Sequence, residues 1–185
     1  SQAFVSDLAR GLTGRGHDVH VYAASGSDIP GVEVIDTGVD PESLAGTLYR
    51  AFGQSGPAGS RPAGPEPSAA ESAFACAYRG VQEIRYDVIH NHAFDAPAIR
   101  LAAVLQAPVV HTLHLPPDKA VAAALRHAAR GGQPPVVAAV SVFQASAWRR
   151  IIRVDAILPP YVPTHVIPWS REPGEGAIFA GRLSP

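Results

Sequence analysis

Short apolar segments alternate with amphipathic segments along most of the 185 residues, and this alternation constrains the fold more than any other feature. Segments that are apolar on both faces and separated by helical periodicity are typical of a parallel β-sheet covered by helices. We therefore predict an α/β fold with helices on both faces of a parallel sheet. The predicted strands are 19–22, 32–35, 86–90, 108–112, 136–140 and 165–167.

Helices are predicted between these strands wherever apolar residues recur at steps of three and four. One stretch breaks the order: residues 53–68 are so rich in Gly, Pro and Ser that they cannot bury a face, and we expect a mobile loop there. A basic amphipathic helix is expected around residues 148–154, with membrane contact that is at most peripheral. The predicted helices are 1–12, 41–52, 69–85, 97–105, 118–130 and 141–152.

Composition excludes several classes of protein. A formal net charge of -1 gives no general attraction to nucleic acid, so no nucleic-acid partner is expected. The mostly apolar segment 136–143 is far shorter than the roughly 20 residues of a membrane-spanning helix, and we expect a cytoplasmic protein. Cys76 is the single cysteine, so it has no partner for an internal disulfide; its surroundings indicate a packing role.

Histidines follow two of the predicted strands at the point where each strand ends. His90 and His92 close one strand, and His111 and His114 close the next one along the chain. Ligand sites of open parallel sheets lie beyond the carboxyl ends of the strands, so these four side chains are candidates for a binding or catalytic site. A hydrogen-bonded histidine at a strand end remains the plainer interpretation for any one of them.

A metal site is the competing interpretation of the same residues. His90 and His92 point to one side of a strand, and either His111 or His114 is placed to supply a third imidazole, as in a zinc-dependent hydrolase. Asp95 or Asp118 would then be the acidic residue that such a centre uses. The spacing matches no diagnostic zinc motif, and no Asp-x-Asp pair for a metal–nucleotide complex is present in the sequence.

Several segments, taken in order, resemble one known family. They include LTGRGHDVHV at 12–21, DVIHNH at 87–92, PVVHTLH at 108–114 and AIFAGRLSP at 177–185, with the helix at 1–9 and the junction at 140–141. Together they resemble retaining glycosyltransferases of family 4. The resemblance implies one half of a GT-B fold: residues 1–173 would be the Rossmann-like, acceptor-side domain without its first strand. Residues 174–185 would begin a donor-binding domain whose remainder is missing.

The resemblance also implies an activity. A retaining hexosyltransferase of this family moves a sugar from a nucleotide-diphosphate donor to an acceptor hydroxyl, without a cofactor or an essential metal. The implied partners are the nucleotide-sugar donor, an acceptor that the sequence does not identify and the missing C-terminal domain. The 185-residue chain alone is expected to be inactive. The alternatives are the metal-dependent hydrolase that uses His90, His92 and His114, and a non-catalytic module that binds a sugar or nucleotide.

Site residues follow from the same resemblance. His114 matches the family's active-site histidine, whereas His111 lies within its strand and is expected to be structural. Gly181 and Arg182 match the family's Gly-Arg-Leu segment and are expected to bind the donor phosphate. The acceptor or donor-sugar cleft is expected to include His90, His92, Asp95 and Gln2.

Overall fold

The computed structural model describes residues 2–41, 69–131, 134–160 and 171–172. These residues form an α/β fold in which all paired strands are parallel, as predicted. In chain order the elements are α1 (Gln2–Thr13), β1 (His20–Ala23), β2 (Glu33–Asp36), α2 (Ala69–Glu83), β3 (Ile89–Asn91), α3 (Ala96–Leu101), a 3₁₀ turn (Ala102–Val104), β4 (Val109–Leu113), α4 (Lys119–Ala128), β5 (Val136–Ala139), α5 (Val142–Trp148) and β6 (Ala156–Ile157).

The described strands form two sheets, whereas the sequence pattern predicts one. Strands β1 and β2 pair with each other, and the second sheet has the order β3-β4-β5-β6. Side chains, rather than a backbone ladder, connect the two sheets in this part of the chain. The hydroxyl of Tyr86, just before β3, lies 2.7 Å from Nδ1 of His20 and 3.0 Å from the hydroxyl of Tyr22, both on β1. The parallel α/β class is thus confirmed, and the arrangement is that of a Rossmann-like half-domain.

Helix packing explains where the sheet is stable. The main core cluster joins strands β4 and β5 to helices α3, α4 and α5. Trp148 on α5 is 1% exposed and Leu125 on α4 is 1% exposed, so each helix buries an apolar face against the four-stranded sheet. A second cluster packs Tyr78 and Val81 of α2 against Val109 of β4. The four-stranded sheet that carries the histidines is therefore covered by the helices that connect its successive strands.

Capping residues set the starts of two helices that position the site. The side chain of Asp118 accepts hydrogen bonds from the backbone N–H groups of Ala120 and Val121 at the start of α4. Ser141, predicted as a cap, accepts from the N–H of Gln144 at the start of α5. Both residues satisfy donors that the first helical turn leaves without a partner. Helix α5 thus begins directly at the carboxyl end of β5.

Three sequence expectations are wrong in this region. The predicted basic helix is absent beyond Trp148, because the N–H groups of Ile151 and Ile152 both bond to the carbonyl oxygen of Trp148 and close a turn there. Strand β6 lies at Ala156–Ile157, where no strand was predicted; two residues give too little pattern to detect. Cys76 is exposed rather than packed, with Sγ 3.5 Å from the carbonyl oxygen of Thr37.

Other predictions fall outside the described residues. These are the helix at 41–52 beyond its first residue, the loop at 53–68, the strand at 165–167 and the boundary after residue 173. Within the described ranges, no helix is long and apolar enough to cross a membrane.

Candidate functional site

The two histidine pairs meet because their strands are neighbours. Strands β3 and β4 are parallel and pair Asn91 with His111, so their carboxyl ends lie at the same edge of the sheet. His90 and His92 come from the end of β3, and His114 follows the last residue of β4. The structure thus brings the rings of His90, His92 and His114 together, whereas His111 contacts Asn91 of the neighbouring strand. We call His90, His92, His111 and His114 the histidine cluster.

The closest contact in the cluster is between two imidazoles. Nδ1 of His92 lies 3.0 Å from Nε2 of His114, a distance at which one nitrogen donates and the other accepts a hydrogen bond. Burial, together with the nearby rings of His90 and His114, lowers the pKa of His92 to about 3. Burial also lowers the pKa of His114. The pair is therefore neutral at pH 7, with one proton on each ring.

Aromatic rings enclose this imidazole pair. Phe4, on α1, presents its ring edge-to-face to His92 at 5.5 Å and to His114 at 5.7 Å between centroids. Phe94 makes a similar contact with His114 at 5.2 Å. The ring of His90 lies on that of His92 with centroids 4.0 Å apart. These contacts remove water from one side of the pair and restrict the rotation of both rings.

His90 and His111 are anchored within the sheet. Nε2 of His90 lies 2.7 Å from the hydroxyl oxygen of Thr112, a side chain that is 1% exposed. Burial lowers the pKa of His90. Nδ1 of His111 lies 2.8 Å from Nδ2 of Asn91, and His111 is 2% exposed.

The amide of Asn91 determines which nitrogen of His111 carries the proton. Oδ1 of Asn91 accepts a hydrogen bond from the N–H of Ala93, so Nδ2 is the atom that faces His111 and donates to it. Nδ1 of His111 must then accept, which places its proton on Nε2. Burial, with a contribution from His90, lowers the pKa of His111 to about 4, so the ring remains neutral. This geometry supports the expected structural role of His111.

Helix α5 holds the segment that carries His114. Nε2 of Gln144 donates to the carbonyl oxygen of His114 at 3.2 Å, and Nε1 of Trp148 donates to the carbonyl oxygen of Leu115 at 2.9 Å. The two donors are four residues apart and so lie on the same helical face. They bind two successive carbonyl groups, which fixes the path of the chain as it leaves β4.

Asp95 lies in the loop after β3 and precedes α3. It occupies the N-cap position of that helix, yet its side chain makes no capping hydrogen bond. Its Oδ2 is buried and has no hydrogen-bond partner among the described residues. Burial, with a contribution from Asp118, raises the pKa of Asp95. Oδ2 of Asp95 is thus a buried acceptor that no described residue uses.

Other residues expected at the site are not placed by the structure. Gln2 is the first residue of α1, but its side chain is not described. Gly181 and Arg182 lie outside the described ranges. Their roles stay predictions.

The metal-dependent alternative receives no support from the described ranges. Among residues 2–41, 69–131, 134–160 and 171–172, no three His, Cys, Asp or Glu side chains are arranged so that they could hold a metal ion. Asp118, one of the two acidic residues considered for that role, is the cap of α4 instead. In the cluster, one ring nitrogen of each histidine contacts another side chain.

Several residues of the site were missed by sequence reasoning. Thr112 and Asn91 lie in the strands between the histidines, and alternation along β3 and β4 was a usable signal for their contacts. Phe4, Phe94, Gln144 and Trp148 carry no motif. Only the three-dimensional packing of α1 and α5 brings them to the cluster.

Parallel strands, covering helices and a polar cluster at the carboxyl edge define the chain as a Rossmann-like α/β domain, a class in which ligands bind at the strand ends. The family model described as Glycosyltransferase Family 4 matches residues 1–168. The chain belongs to this family and is a glycosyltransferase domain. Comparison with curated proteins gives no match.

Proposed function

We propose that the protein transfers a hexosyl group from a nucleotide-diphosphate donor to an acceptor hydroxyl, with retention of the anomeric configuration. The observation that carries the proposal is the His92–His114 pair, half-buried at the carboxyl edge of the sheet in a chain of this family. A site at this edge faces the ligand in parallel α/β folds. The pair is neutral and held by aromatic rings and by α5, so it is preorganised before any substrate binds.

The transfer step makes clear what such a site must do. The bond between the anomeric carbon and the diphosphate oxygen breaks, and a new bond forms from that carbon to the acceptor oxygen. The acceptor proton leaves with the departing diphosphate, whose oxygens gain negative charge. An N–H group aimed at the sugar or the leaving oxygen stabilises this state more than the ground state. We assign that role to His114.

The remaining residues of the proposed site bind and orient. Asp95 is the proposed contact for an acceptor or donor-sugar hydroxyl, because its Oδ2 is buried without a partner in the described ranges. His90, His92 and Gln2 are the other proposed cleft residues. Gly181 and Arg182 remain the proposed donor-phosphate contacts, in a donor-binding domain proposed to begin at residue 174. A backbone N–H and a guanidinium suit phosphate oxygens.

The experiment is a transfer assay on the full-length protein with a panel of nucleoside-diphosphate hexoses. Release of nucleoside diphosphate gives the rate, and proton NMR of the new glycoside gives its anomeric configuration. We expect one donor to be used and its configuration to be kept, with turnover unchanged after dialysis against EDTA. An inverted product would contradict retention. No turnover with any donor, combined with phosphate-ester or amide hydrolysis that EDTA abolishes, would overturn the transferase proposal.

A further inference from the structure

The contact between the imidazoles of His92 and His114 determines which nitrogen of His114 can act on a ligand. Nε2 of His114 is occupied, because it lies 3.0 Å from Nδ1 of His92. No described residue makes a hydrogen bond to Nδ1 of His114. The residue is half-buried, and Nδ1 is its one ring nitrogen without a described partner. Nδ1 is therefore the nitrogen through which His114 would contact a ligand.

The surroundings prevent the ring from presenting its other nitrogen. Phe4 and Phe94 make T-shaped contacts with the His114 ring, with centroids 5.7 Å and 5.2 Å away. The backbone on the other side is fixed by Gln144, which donates to the carbonyl oxygen of His114. A ring flip would break the contact with His92 and would leave its Nδ1 without this partner in a half-buried site.

We propose that His92 is a positioning residue: its Nδ1–H donates to Nε2 of His114 and so holds the proton of the His114 ring on Nδ1. The inference rests on the proposed function, because a hydrogen-bond donor toward the ligand is what the departing diphosphate requires. A neutral imidazole has a single N–H, and the hydrogen bond made by one nitrogen decides where that proton lies. If Nε2 of His114 instead donated to Nδ1 of His92, Nδ1 of His114 would present a lone pair to an anionic group.

The ring of His92 is itself held in the orientation that this donation needs. His90 lies on it at 4.0 Å between centroids, and His90 is anchored to Thr112 at 2.7 Å. Thr112 is buried within β4, one strand away. This chain of side chains, from the sheet interior to the reactive ring, fixes the orientation of the His92 ring, and the hydrogen bond to His114 then relates the tautomers of the two rings.

The tautomer can be measured directly. In full-length protein labelled with ¹⁵N-histidine, long-range ¹H–¹⁵N spectra identify which ring nitrogen of His114 carries the proton. We expect a protonated Nδ1 in the wild type. In His92→Phe, which keeps a ring for packing but has no nitrogen, the proton should move to Nε2 in a substantial fraction of molecules. In His92→Asn the amide nitrogen stands one bond from Cγ, as Nδ1 does, and should restore the wild-type tautomer.

Turnover provides the second readout. His92→Phe should lower kcat about tenfold, the equivalent of one lost hydrogen bond, with little change in KM, and His92→Asn should recover most of it. His127→Asn, which removes an exposed histidine of α4, is the matched control and should leave turnover unchanged.

Two results would overturn the inference. One is a wild-type His114 with its proton on Nε2. The other is a loss of kcat in His92→Asn equal to that in His92→Phe, which would reduce His92 to a packing residue. A protonated Nδ1 in a protein with no transferase activity would instead leave the positioning intact and refute the proposed function.

Discussion

Acid should destabilise this fold through His111, and the effect can be worked out from its contacts. The ring is 2% exposed, and Nδ1 accepts a hydrogen bond from Nδ2 of Asn91. Protonation would place an N–H against that amide N–H in a buried site. The pKa of His111 is accordingly lowered to about 4 from an ordinary value of 6.5, with burial as the main cause.

The sign follows from proton linkage. Below pH 6.5 the unfolded chain takes up a proton on His111, whereas the folded chain does not do so until about pH 4. The free energy of unfolding therefore decreases as the pH is lowered from 6.5 to about 4. At pH 5, about 1.5 units below the unfolded pKa, the loss relative to pH 8 is about 2 kcal/mol. His90, His92 and His114 also have lowered pKa values, so each adds to the loss.

The assay is urea unfolding of the 185-residue chain at pH 8 and pH 5, followed by far-UV circular dichroism. His111→Asn removes one titrating group. The decrease in its free energy of unfolding between pH 8 and pH 5 should therefore be smaller than the decrease in the wild type, by about 2 kcal/mol. Val137→Ala, a core variant of β5 that is destabilised without losing a titrating group, should follow the wild type. Parallel losses in His111→Asn and the wild type would refute the reasoning.

Three further substitutions test individual contacts. Gln144→Leu removes the donor to the His114 carbonyl and should lower kcat up to about tenfold with the fold retained by circular dichroism; unchanged kcat would show that the contact does not position His114. Arg182→Ala should weaken nucleoside-diphosphate binding, measured by calorimetry, by about 1.5 to 3 kcal/mol, and unchanged affinity would contradict a phosphate contact. Asp95→Asn should raise the free energy of unfolding at pH 7, because it removes a charge that burial disfavours, while it lowers activity. A more stable Asp95→Asn enzyme with full activity would remove Asp95 from the site.

The convergence of the histidines could be predicted from the sequence because it depends only on strand order. His90 and His92 end one strand, His111 and His114 end the next, and parallel neighbours bring these ends together whatever the side chains do. The α/β class follows from the same alternation. Even the cap at Ser141 could be recognised, since a short polar side chain before a helical pattern has one favoured use.

The contacts inside the site could not be predicted in this way. Phe4 reaches His114 across 110 positions of sequence, and only the packing of α1 brings it there. Gln144 resembles any other polar helical residue until α5 is placed over the exit of β4. The division of the strands into two sheets likewise depends on tertiary pairing, because β1 and β3 have patterns that suit one sheet or two.

The same limit applies to the tautomers. Which nitrogen of His111 carries a proton depends on Asn91, and the orientation of that amide depends in turn on the N–H of Ala93. Such chains of hydrogen bonds are set by distances of a few tenths of an ångström, which a sequence pattern does not specify.

The central claim is that His114 is the side chain that acts on the departing group. It is tested most directly by comparing the turnover of the wild type with that of a variant without this imidazole. In the full-length protein, His114→Ala should lower kcat on the order of 100-fold, with a smaller change in donor affinity, because the lost interaction strengthens as charge develops. His111→Ala, in molecules shown to be folded, should lose much less turnover. Near-normal turnover in folded His114→Ala, or equal losses in both variants, would contradict the account.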